Sequence, residues 1–208
     1  MFILGLTGSI GMGKTWGAKC FRHFGVFVHD ADVCVHRMMG AGGAATAQIE
    51  ACFPGVIGND GGVDRQKLAD HVLGDNLALN KLEAMLHPLV RHDQRRFLQN
   101  CQRRGARLVV LDIPLLYETD SRPRVDAVVV MSAPERVQRQ RVMRRVGMTK
   151  KKLKAILERQ APDEIKCRLA EFVVTTGATR GQSLRQIAKV VKVCRSLKGH
   201  AWTPHWGR

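Results

Sequence analysis

The run Gly8-Ser9-Ile10-Gly11-Met12-Gly13-Lys14-Thr15 has the spacing G-x-x-x-x-G-K-[ST], and it constrains this chain more than any other feature. An apolar stretch, Phe2 to Thr7, precedes it and reads as a buried strand; Thr15 to Phe24 follows and reads as a helix. In that context the run predicts a phosphate cradle. Glycines let the backbone turn tightly and aim its N–H groups inward. Those groups, with the positive end of the helix that follows, hold phosphate oxygens. Gly8, Gly11, Met12 and Gly13 are therefore expected against a nucleotide, with Trp16 on the nucleotide side. Lys14 is expected to bridge the β- and γ-phosphates and to pack against nothing else, and the Thr15 hydroxyl to ligate Mg²⁺.

The rest of the chain alternates strand and helix. Strands are expected at Val26–His29, Arg107–Asp112, Val125–Met131 and Phe172–Thr175. Helix is expected over Asp32–Cys52 with a glycine interruption, over Asp64–Arg104, over Pro134–Gln160 and over Ser183–Leu197. A loop rich in Gly, Pro, Asn and Asp separates the first two of these, at residues 53–63. Alternation of this kind predicts a parallel sheet covered on both faces. The helical block between the second and third strands is too long for an ordinary crossover and reads as an inserted subdomain.

Ligands in open α/β sheets sit outside the carboxyl ends of the strands, so acids there are the candidates for chemistry. Asp30 and Asp32 follow the second strand. They stand two apart, on one face of an extended segment. Asp32 has two readings: a general base facing the γ-phosphate, or the cap of a helix starting at Val33. Asp112 ends the third strand, where an acid holds the Mg²⁺ shell of P-loop enzymes. Arg136, Arg139, Arg141, Arg144 and Arg145 lie on one predicted helix, suited to a lid whose arginine stabilises charge on the transferring oxygens.

Composition bounds the alternatives. The 208 residues are 45% apolar and 25% charged, with a net charge of +16. The excess is late: residues 136–159 hold ten basic residues and one acid, and residues 180–208 hold seven and none. A basic surface attracts polyanions, which leaves a basic nucleic-acid-binding P-loop protein as one alternative. The low aromatic share, 5%, and the absence of a nucleic-acid motif speak against it. Six cysteines without C-x-x-C or zinc spacing fit a reducing compartment. Residues 1–13 have no basic n-region and are broken by glycines, so they are not expected to form a signal peptide. No apolar run is long enough to span a membrane.

Several segments resemble the dephospho-CoA kinase family. They are Gly5-Leu6-Thr7-Gly8-Ser9-Ile10-Gly11, Asp30-Ala31-Asp32, Leu82-Glu83 with His87-Pro88-Leu89-Val90, Asp112-Ile113-Pro114-Leu115-Leu116-Tyr117-Glu118, Gln140-Arg141 with Arg145 and Gly147, and Gln160 with Lys166. The resemblance implies a three-layer α/β P-loop kinase fold with a parallel five-stranded sheet. It implies one domain over 1–208, with a helical acceptor-binding insertion at about 60–105 and a lid at about 134–160. It implies ATP and Mg²⁺, dephospho-CoA as acceptor, Asp32 as base, and Lys14 and Arg141 on the phosphates. Thr7, Asp32, His87, Leu115 and Leu116 are then expected on the acceptor side, with helix packing the other reading of His87 and core packing that of Leu115 and Leu116. A cytosolic monomer or weak oligomer is expected, with no specific nucleic-acid partner and no membrane. The other alternative is a small-molecule P-loop kinase acting on a nucleoside, a nucleotide or a shikimate-like acceptor. Met12, Trp16, Glu171 and Thr176 depart from residues common in the family.

Overall fold

The computed structural model describes residues 1–202 and Trp206, and the backbone of Asn76. Residues 203–205 and 207–208 of the basic tail lie outside the described residues. In chain order the elements are β1 Phe2–Thr7, α1 Lys14–His23, β2 Phe27–Asp30, α2 Ala31–Met38, α3 Thr46–Cys52, α4 Arg65–Val72, α5 Asn76–Arg103, β3 Leu108–Asp112, β4 Ala127–Ser132, α6 Glu135–Met143, α7 Lys150–Glu158, α8 Asp163–Leu169, β5 Phe172–Thr175 and α9 Arg180–Ser196. A 3₁₀ turn occupies Arg122–Arg124.

The five-stranded parallel sheet has the order β2-β3-β1-β4-β5. β1 is central: Leu6 pairs with Asp112 of β3, and Thr7 with Val130 of β4. Parallel pairing in this register puts the ends of β1, β3 and β4 at one edge of the sheet, and the loops they feed carry the candidate site. All six residues of β1 are buried, as expected for a strand covered on both faces. Its even positions, Phe2, Leu4 and Leu6, join Phe21 of α1 with Ile187 and Val191 of α9 in one apolar cluster. Ile3 shares the opposite face with other buried residues.

The chain divides into two compact units, residues 1–29 with 98–208, and residues 30–97. The second has its own core, in which Met39, Ala45 and Ile49 pack with Leu68, Leu82 and Leu86. That packing explains why it begins at Asp30, well before the expected insertion: α2 and α3 bury their apolar faces with α4 and α5.

Three expectations about elements are corrected. The segment expected as one helix over Pro134–Gln160 is two, α6 and α7, separated where Gly147 takes φ 72. The helical block from Asp64 breaks in the same way at Gly74, with φ 89, between α4 and α5. α8 was not expected at all; it is short and strongly charged, and it has no apolar stripe to announce it.

Candidate active site

The phosphate loop is shaped by glycine. Gly11 takes φ 79, and a Cβ there would lie 2.5 Å from Val142 Cγ2 of α6. Gly13, at φ 93, caps α1 without any side-chain hydrogen bond, and the first turn of α1 holds no acid. The start of α1, with the positive end of the helix dipole, therefore carries no side-chain cap and no acid. Lys14 is half-buried and Thr15 exposed at that helix start.

Asp112 closes β3 with 1% of its surface exposed. Its Oδ1 lies 2.7 Å from Lys14 Nζ. This corrects the expectation that Lys14 packs against nothing: a buried carboxylate holds the ammonium beside the loop. The contact keeps the ammonium beside the loop, within the charge-assisted hydrogen-bonding reach that phosphate oxygens also use.

Arg141 is docked on the phosphate loop. Its Nη1 lies 2.9 Å from Thr176 Oγ1 and 3.4 Å from the Gly11 carbonyl, and its Nη2 2.5 Å from the Thr176 carbonyl. The Thr176 hydroxyl in turn donates to the Met12 carbonyl at 2.8 Å. Thr176, one of the departures from the family pattern, therefore joins Arg141 to the cradle. Met12 turns its side chain inward, where its sulfur accepts from the Ala133 N–H.

A cavity of about 190 Å³ opens beside the loop, lined by Gly13, Trp16, Arg141, Thr176, Arg180 and Ser183 among others. Trp16 is fixed in its wall. Its Nε1 donates to Ser183 Oγ at 2.9 Å, and the Arg180 guanidinium sits 5.1 Å from its ring centroid. Ser183 and Arg180 escaped the sequence reading because no local signal marks a contact between residues 167 apart.

The loop after β3 decides between the two readings of Leu116 and corrects the acceptor-side expectation for Thr7. Leu116 has no exposed surface, and its Cδ1 packs over Gly5, 2.6 Å from where a Cβ would stand. Its side chain belongs to the core; Leu115 keeps partial exposure. Thr7 is fully buried and its hydroxyl donates to the Pro114 carbonyl at 3.0 Å. It anchors the loop and leaves no hydroxyl surface for a ligand.

In the second unit, Asp30 is the N-cap of α2, its carboxylate accepting from the Val33 N–H at 3.1 Å. The capping alternative for Asp32 is thereby corrected: Asp32 lies inside the first turn, exposed. His87 is half-buried on α5, one residue before Pro88 within that helix.

Asp112 and the Thr15 hydroxyl offer the hard oxygen donors that Mg²⁺ takes. Gln138 was also missed. It is buried on α6, three residues before Arg141 and so on the same helix face, a spacing that could have exposed it.

Comparison with known proteins identifies the family. The family model described as "Dephospho-CoA kinase" matches residues 2–180. A dephospho-CoA kinase of Mesorhizobium japonicum is 51% identical over 199 residues, covering 96% of this chain and all of that protein. A solved structure from Thermus thermophilus is 32% identical with TM-score 0.80, covering 95% of this chain and 98% of that one. The fold is shared with a dephospho-CoA kinase from Campylobacter jejuni at TM-score 0.64 and 21% identity, over 92% and 96% of the two chains. With a P-loop, a strand-end aspartate and a loop-docked arginine in place, and with a match of this length, the chain belongs to the dephospho-CoA kinase family.

Proposed function

We propose that this chain transfers the γ-phosphate of ATP to the 3′-hydroxyl of the dephospho-CoA ribose, giving coenzyme A and ADP, the last step of coenzyme A synthesis. The observation that carries this reading is the convergence of Lys14, Asp112, Arg141 and the uncapped start of α1 on one phosphate loop.

The N–H groups of Gly11, Gly13, Lys14 and Thr15 hold the phosphates, with Gly8 and Met12 shaping the turn. Lys14 moves from Asp112 to the β- and γ-oxygens. Thr15 and Asp112 would hold Mg²⁺, which would supply positive charge to offset that of the phosphates. The cavity beside Trp16 takes the nucleoside. Arg141 stabilises charge that grows on the transferring oxygens. The acceptor oxygen forms its bond to the γ-phosphorus as the bond to the β–γ bridging oxygen breaks, and the hydroxyl proton passes to Asp32. His87 and Leu115 serve the acceptor, and the helical unit of residues 30–97 is its binding part. Six unpaired cysteines, and the lack among the described residues of any helix long and apolar enough to cross a membrane, support a cytosolic setting.

The test is mass-spectrometric detection of coenzyme A after incubation with ATP, Mg²⁺ and dephospho-CoA. One coenzyme A per ADP is expected. Lys14→Ala should lose more than about nine-tenths of kcat, a change above about 1.4 kcal/mol. ATP consumption with shikimate or a nucleoside, and none with dephospho-CoA, would overturn the reading.

A further inference from the structure

Ile10, in the phosphate loop, is held at both of its peptide atoms. Its N–H donates to Gln160 Oε1 at 3.1 Å, and its carbonyl accepts from Gln138 Nε2 at 2.8 Å. Gln138 lies on α6 and Gln160 just beyond α7. The two ends of the segment that carries Arg141 therefore close on a single residue of the loop.

A second line of contacts begins next door. The Ala161 N–H donates to Glu118 Oε1 at 2.8 Å. Lys166 Nζ lies 2.8 Å from the same oxygen, on a side chain with no exposed surface. That approach is off the direction of an aligned hydrogen bond, so the attraction is Coulombic. Glu118 Oε2 is buried without a hydrogen-bond partner, so Glu118 is committed through Oε1. Glu118 stands on the loop that leaves Asp112. One chain of contacts thus runs from that loop, through residues 160–161, to the phosphate loop.

A buried ion pair is a poor source of stability. Removing two charges from water costs about what their attraction returns, and apolar replacement of both is often neutral or better. What such a pair can supply instead is a single register. We propose that Gln160, backed by the Glu118–Lys166 pair, is a positioning residue for phosphoryl transfer: it holds the phosphate loop and the Arg141 segment in the relative placement that the transition state needs. This rests on the reading of the loop as the site of phosphoryl transfer. Misplacing a charge-stabilising group by an ångström can cost up to about a hundredfold in rate.

Four variants test it: Gln160→Ala, Glu118→Met, Glu118→Met/Lys166→Met, and the triple combination. Gln160→Ala should lower kcat roughly ten- to a hundredfold, with the KM for dephospho-CoA and the thermal midpoint unchanged. Its Ile10 amide should exchange faster with deuterium. The double variant should melt above Glu118→Met alone, which strands the ammonium, yet keep a low kcat. The triple should be no slower than the double, since residues acting along one line do not add. A double variant with wild-type kcat, or a Gln160→Ala enzyme with wild-type kcat, would overturn the proposal. If the double variant fails to fold, Gln160→Ala decides alone. A wild-type enzyme that makes no coenzyme A would instead defeat the functional reading, and Ile10 exchange would still report on the latch.

Discussion

Asp30 and Asp32 are like residues that the start of α2 places differently. Asp30 spends its carboxylate on the Val33 N–H at the start of α2, while Asp32 is an exposed residue one position past the helix start. Asp30→Ala should therefore cost about 1 kcal/mol of stability, the ordinary cost of a lost N-cap, seen as a lower melting temperature. Asp32→Asn should leave the melting temperature alone and lower kcat by roughly 10²–10⁴. An Asp32→Asn enzyme with near-normal turnover would remove it as the base. Lys14 carries a different lesson. Because it pairs with Asp112, its removal weakens a buried carboxylate as well as the phosphate contacts, so some loss of thermal stability should accompany the loss of rate.

At the level of elements, α6 presents one working face. Gln138 and Val142 are buried, Arg141 is half-buried on the phosphate loop, and Arg136, Arg139 and Arg144 are exposed. Arg141→Ala should lower kcat by at least tenfold, more than it weakens acceptor affinity, because its charge partner develops during transfer. Arg144→Ala should stay near wild type. Steady-state kinetics on the pair checks this, and equal losses would mean that the face is wrongly assigned. That residues 134–160, which hold α6 and α7, are largely helical was legible in the sequence. The break between them was not, because Gly147 is tolerated inside a helical pattern, and only its positive φ reveals the turn.

The whole molecule sets which thiols react. Cys52 alone is exposed, Cys167 is partly covered, and Cys20, Cys34, Cys101 and Cys194 are buried. Burial pushes Cys194 up to about 12 and Cys101 up to about 11; for Cys34, burial and then Asp93 raise it to about 12. At pH 8 these three are almost wholly thiols, and the thiolate is the reactive form. A colorimetric disulfide reagent should therefore titrate Cys52 at once in the native protein and the buried four only on unfolding. Rapid loss of Cys34 or Cys194 would contradict the packing. The P-loop spacing, the apolar strands and the strand-end Asp112 were legible in the sequence alone, because each rests on a local signal: glycine conformation, a continuous apolar run buried on both faces, and the acid where such a run ends. Tertiary structure decided the rest. Leu116 is core because it meets Gly5, Thr7 is an anchor because Pro114 faces it, and Trp16 is fixed by Ser183. Thr176 binds Arg141 to the loop, and Lys166 finds Glu118. Those partners lie far apart along the chain, and a residue's own type cannot say which distant group the fold will bring within hydrogen-bond reach.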